Sequence, residues 1–234
     1  MQSISDRLIV DGTLWLLGIF SLVTWSIILA KGTRYVRTSL DNTRFTAQFW
    51  SAATLEDGER LSISRAPAAQ IARAGFAVLN EPASATPHDL QHSVDRRELF
   101  ERQLRQQIQR ERRSLDNGLA VLASIGSTAP FVGLLGTVFG IIHALTAISH
   151  SGSASIDVVA GPIGEALVTT GIGIAVAVPA VLGYNFFVRR SKAFAADLDE
   201  FATGFLTLAQ KARFRTSATA TPQRLAKVQL EGVA

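Results

Sequence analysis

Cysteine is absent from all 234 residues, which excludes disulfides, thiol nucleophiles and cysteine-ligated metal or iron–sulfur centres. Histidine is scarce as well, with four residues in the chain. His143 and His150 lie seven positions apart with no carboxylate between them, so the pair lacks the donor set of a metal site. His143 is read instead as a helix–helix hydrogen-bonding group. No phosphate-binding loop and no nucleophile–base spacing occurs, so the sequence offers no cofactor site and does not read as an enzyme.

Charge is missing too, but only locally. Lys, Arg, Asp and Glu make up 18% of the chain, yet none occurs in the 19 residues from Gly12 to Ala30 or the 40 from Asn117 to Ile156. A third uncharged run covers the 23 residues from Ala166 to Val188. As a helix that run rises about 34 Å, enough to cross a hydrocarbon core of roughly 30 Å. The pattern predicts an all-α, polytopic membrane protein with three transmembrane helices. The first apolar run is longer than a signal-peptide core, has only Arg7 against Asp6 and Asp11 before it, and precedes no A-x-A site, so it is expected to be a retained span.

The basic residues orient these spans. Of 23, one (Arg7) precedes the first span, 14 lie between Lys31 and Arg113, none lies in 149–160, and eight follow Val188. Positive-inside bias therefore places both large basic segments in the cytoplasm, with the N-terminus and the short loop outside. The sequence pI of about 10.0 comes from these flanks, which contain no nucleic-acid recognition motif, so no nucleic-acid partner is expected. Arg110, Arg112 and Arg113 are expected to anchor at membrane lipid headgroups.

Seven segments result. Residues 1–31 hold an external N-terminus and the first transmembrane helix, and 32–117 a cytoplasmic helical domain. The second transmembrane helix occupies 118–148, a periplasmic loop 149–160, and the third transmembrane helix 161–188. A cytoplasmic helix over 189–215 and a flexible tail over 216–234 complete the chain.

Within 32–117, aromatic and aliphatic residues from Tyr35 to Trp50 predict a helix leaving the membrane. Turn formers at Asp57-Gly58 and across EPASATPHD (81–89) predict breaks. Ala66–Leu79 reads as a packed helix too short to span. The stripe Leu99, Leu104, Ile108, Leu115 and Leu119, with no proline before Pro130, predicts a helix that runs unbroken into the second span. Phe194, Leu198, Phe201, Phe205, Leu208 and Ala212 are spaced 4, 3, 4, 3 and 4, a heptad-like seam expected to support assembly between subunits. The second and third spans are thus expected to extend into the cytoplasm.

The spans themselves are rich in small and hydroxyl residues. Gly133, Gly136 and Gly140 share one helical face and permit close packing. Pro130 and Pro179 bend their helices and free backbone carbonyls. Threonines here either bond back to their own helix or line a polar path. Glu165 decides between these views, because a carboxylate in a span costs at least ~2.5–3.5 kcal/mol unless wetted, paired or protonated. It either caps helix N-terminal NH groups after Pro162 at the interface, or it serves a proton path with Thr169, four residues on and on the same face. One three-span subunit cannot enclose such a path, which implies a homo-oligomer.

APFVGLLGTVFGI (129–141) and GPIGEALVTTGIGIAVAVPAVLGYN (161–185) resemble the second and third transmembrane helices of the MotA/TolQ/ExbB proton-channel family. Within that family, the basic cytoplasmic region and external N-terminus are most similar to the ExbB branch, while His143 resembles the TolQ branch. The resemblance implies an inner-membrane homopentamer around an ExbD-like single-span protein that carries an essential aspartate. It further implies coupling through a TonB-like protein to outer-membrane uptake of siderophores, haem or vitamin B12. By motif, it makes Glu165 the pore acid and Thr137 and Thr170 the pore hydroxyls. A TolQ-like role in envelope integrity and a non-conducting scaffold are the alternatives.

Overall fold

A computed structural model describes the backbone of residues 2–80, 96–151 and 156–231, and the side chains of 8–80, 97–149 and 159–211. Among the described residues every regular element is a helix: α1 (Gln2–Ser51), α2 (Leu55–Leu61), α3 (Pro67–Asn80), α4 (Arg96–Asp116), α5 (Leu119–Ser151) and α6 (Ile156–Glu231). Three helical stretches, in α1, α5 and α6, are long and apolar enough to cross a membrane. The protein is an all-α membrane protein. Two compact units form, one from 1–35 with 116–191 and one from 36–115 with 192–234.

The first unit is a three-helix bundle of α1, α5 and α6. Its core is thin and built from small side chains: Leu17 with Ile125, Ala129, Val176, Ala177 and Ala180, flanked by Phe20, Val23 and Val132. A second cluster joins Leu119, Leu122 and Phe187 to Ile27, Ile28 and Tyr184. Large apolar side chains face outward instead, including Trp15 at 77% exposure and Phe131 at 70%. That inversion suits a lipid or protein environment, where burying apolar surface gives helices no preference for each other and close packing must hold them.

The second unit is a small aromatic core. Phe205 is fully buried, with ring centroids of Phe76, Phe100 and Phe49 at 5.0, 5.4 and 5.5 Å. Phe45 and Phe201 join it. Helix α3 starts at Pro67, whose fixed φ suits the first helical position, and the Ala68 NH donates to the buried Asn42 Oδ1 at 2.8 Å. Arg73 ties down the preceding turn by donating to the carbonyls of Ser62 and Ser64 at 2.8 and 3.2 Å.

Several expectations change here. Asp57-Gly58 lies inside α2, because Thr54 caps that helix by accepting the Asp57 NH at 3.1 Å. Gly58 serves packing, since a Cβ there would stand 3.1 Å from the Phe49 ring. The segment 81–89 lies outside the described residues. Helices α4 and α5 are separated at Asn117-Gly118, where Gly118 adopts φ +83°, a left-handed conformation that ends α4 without needing a proline. Phe100, outside the expected stripe, is buried beside Leu104 and Ile108.

The heptad seam is corrected as well. Phe194, Leu198, Phe201 and Phe205 are buried, but Leu208 is 37% exposed and Ala209 takes its place inside. Recurrence at 11 residues, Phe194 to Phe205 and Leu198 to Ala209, matches a straight helix better than a heptad. These side chains fill the subunit's own core instead of a seam between subunits. Helical backbone continues to Glu231, through most of the segment assigned by composition to a flexible tail.

Candidate functional site

Antiparallel α5 and α6 meet along glycine. A Cβ on Gly126 would stand 3.3 Å from the Val181 nitrogen, one on Gly133 3.1 Å from the Thr170 Cα, and one on Gly140 3.3 Å from the Ala166 Cα. Helix α1 closes on the same face, since a Cβ on Gly136 would lie 2.7 Å from Thr13 Oγ1. Gly133, Gly136 and Gly140 are therefore the places where backbone approaches backbone or buried hydroxyl. Gly164 and Gly171 are exposed and meet nothing within 4 Å in their own subunit.

That close approach brings two threonines together. Thr137 on α5 and Thr170 on α6 share a hydrogen bond between their hydroxyls. Either can donate, because each has another acceptor: the Ala166 carbonyl lies 3.1 Å from Thr137 Oγ1, and the Gly133 carbonyl lies 3.2 Å from Thr170 Oγ1. When Thr170 donates to Thr137, Thr137 donates to Ala166. When Thr137 donates to Thr170, Thr170 turns to Gly133. The pair can therefore be bonded in either direction without leaving a hydroxyl hydrogen unpaired. Thr169 behaves differently, being fully buried with its hydroxyl bonded back to the Glu165 carbonyl at 3.0 Å.

Glu165 is exposed on α6, next in sequence to the Ala166 that receives the Thr137 hydroxyl. Helix α6 begins at Ile156, nine residues before it, not near Pro162 as the sequence suggested. Nine residues are about 13 Å of helix, so Glu165 is beyond the first turn and cannot cap its NH groups. The capping explanation is thereby removed. Pro130 and Pro179 lie half-buried inside α5 and α6, where each deprives the carbonyl four residues earlier of its NH partner.

A cavity of about 340 Å3 opens at this end of the bundle, lined by Asp11 from α1, Gly140 and His143 from α5, and Pro162, Glu165 and Ala166 from α6. Each helix contributes one ionisable side chain. His143 does not make the expected helix–helix hydrogen bond through Nδ1, which is buried and meets no hydrogen-bond partner. Asp11 enters a sequence reading only as the edge of the first span. Its sole signal is that of Glu165, an acid at the head of an uncharged run. Among the described residues no cluster of three metal-ligating side chains occurs.

Residues 64–200 match the MotA/TolQ/ExbB proton channel family. The biopolymer transport protein ExbB of Xanthomonas campestris pv. campestris strain B100 is 41% identical over 185 residues, 76% of this chain and 72% of that protein. The ExbB of Neisseria meningitidis strain Z2491 is 38% identical over 192 residues, 82% and 87% of the two chains. The Tol-Pal system protein TolQ of Haemophilus influenzae strain Rd is 34% identical over 200 residues, 83% and 86%. With a match over more than half its length and relatives of this similarity, the chain belongs to the MotA/TolQ/ExbB proton channel family.

Proposed function

We propose that this protein is the proton-conducting stator subunit of an ExbB-type inner-membrane complex. Five copies surround an ExbD-like single-span partner, and the assembly passes proton-motive force through a TonB-like protein to outer-membrane uptake of siderophores, haem or vitamin B12. The N-terminus lies in the periplasm and both basic segments in the cytoplasm. Glu165, Thr137 and Thr170 form the proton pathway.

The observation that carries this reading is an exposed carboxylate at the head of the uncharged run 166–188, next in sequence to a residue bonded into a hydroxyl pair. An isolated acid there is costly, and a wetted or partner-facing one is not. The hydroxyl pair accepts and returns hydrogen bonds without a deep trap. Exposed Gly164 and Gly171 leave room for another helix to approach closely. One proton moving through 100 mV releases about 2.3 kcal/mol, so a few protons per step suffice to rearrange a central partner.

The relation to TolQ of Haemophilus influenzae supports a second reading, a Tol-type subunit serving envelope integrity. Complementation separates the two: restored siderophore-dependent growth in a strain lacking its own ExbB-type subunit supports the first, and restored envelope integrity alone supports the second. Proton flux through the reconstituted complex separates both from a non-conducting scaffold.

A further inference from the structure

We propose that Asp11 and His143 are proton-relay residues that feed Glu165, a step that rests on the proton path through Glu165. Three observations point to it. The three side chains come from three different helices yet line one cavity. At about 340 Å3 the cavity has room for on the order of ten waters, enough to connect groups that do not touch. The Nδ1 of His143 is buried without a hydrogen-bond partner, so no bond within the subunit fixes which ring nitrogen carries the proton.

The geometry assigns a role to each group. Asp11 is exposed and collects a proton from solution at the mouth of the cavity. His143, half-buried, is the next acceptor: a proton adds to the unprotonated ring nitrogen, giving an imidazolium. The ring then releases one proton through water to the Glu165 carboxylate, giving the carboxyl and returning the imidazole to neutral. No electrons move. Imidazole suits the middle position because it can take up a proton on one ring nitrogen and release one from the other. Among the described residues, the ionisable groups lining the cavity are Asp11 on α1, His143 on α5 and Glu165 on α6.

The test measures proton flux through the full complex, reconstituted with its single-span partner in vesicles, at about pH 6 and about pH 8 on the Asp11 side. A collecting relay matters most when protons are scarce. Asp11→Asn and His143→Gln should each lower flux roughly tenfold at the higher pH and much less at the lower. Asp11→Glu, which keeps the acid, should retain most of the flux at both. The double variant Asp11→Asn/His143→Gln should lose little more than either single one, as expected for members of one relay. Equal flux in Asp11→Asn and Asp11→Glu at both pH values would overturn the proposal, whether that flux is high or low. Glu165→Gln is run alongside. If it conducts normally, the underlying proton path fails; if it is silent while Asp11→Asn and His143→Gln match the parent, only the relay fails.

Discussion

A Cβ on Gly133 would stand 3.2 Å from the Cα of Gly173, and one on Gly173 would stand 3.0 Å from the Cα of Gly133. The backbones of α5 and α6 therefore touch where the Thr137–Thr170 pair forms, and each glycine is there to admit the other. A methyl group at either position meets backbone, which cannot rotate aside.

Gly133→Ala and Gly173→Ala should each destabilise the subunit by about 1–3 kcal/mol, as expected when a packed contact is overfilled. Gly164→Ala and Gly171→Ala meet open space in the subunit and should leave its stability unchanged or slightly raised, because alanine favours helix. Denaturant unfolding of the detergent-solubilised protein compares the two pairs. Equal effects would contradict the close crossing.

The aromatic core makes an independent prediction. Phe205→Ala should cost about 3–5 kcal/mol, because it empties a fully buried site between Phe49, Phe76 and Phe100. Leu208→Ala, at a 37% exposed position, should cost well under that, about 1 kcal/mol or less. Thermal melts check the contrast. A larger loss at Leu208 would restore the heptad phase and the seam between subunits.

Fold class was legible because uncharged length is a one-dimensional property, readable without knowing what any residue touches. The three spans follow from it directly. The packed helix from Pro67 also follows, because alanine-rich chain too short to span must pack. Other features depended on partners in three dimensions. Gly58 reads as a turn former until the Phe49 ring is seen against it. Leu208 reads as core until eleven-residue recurrence replaces seven. In the site, the periodicity argument paired Glu165 with Thr169, yet Thr169 packs against α5 and bonds back to its own helix. The Thr137–Thr170 meeting is set by glycines on two helices, and only the resemblance to a family pointed to those residues together.

The hydroxyls therefore give a discriminating series. Thr137→Val and Thr170→Val each remove one member of the hydroxyl pair while keeping its shape, and should lower proton flux by roughly tenfold. Thr169→Val removes a hydroxyl bonded only to its own helix and should conduct nearly normally. Flux in reconstituted vesicles ranks the three. Greater damage at Thr169 would place the path on its face.

Orientation is testable because the chain has no native cysteine. Ser62 is buried and makes a poor reporter, whereas Ser64 is exposed. A cysteine at Ser153 should label with an impermeant maleimide on intact cells whose outer membrane is permeabilised. One at Ser64 should label only after the inner membrane is opened. Labelling of Ser64 in intact inner membranes would invert the topology.

The most direct test of the central claim is proton flux through Glu165→Gln in the complex with its single-span partner. Glutamine keeps the size and hydrogen-bonding reach of the side chain and removes its ability to carry a proton. The account predicts that the complex assembles at the parent size and that flux driven by a membrane potential falls at least about a hundredfold. Normal flux through a fully assembled Glu165→Gln complex would contradict it.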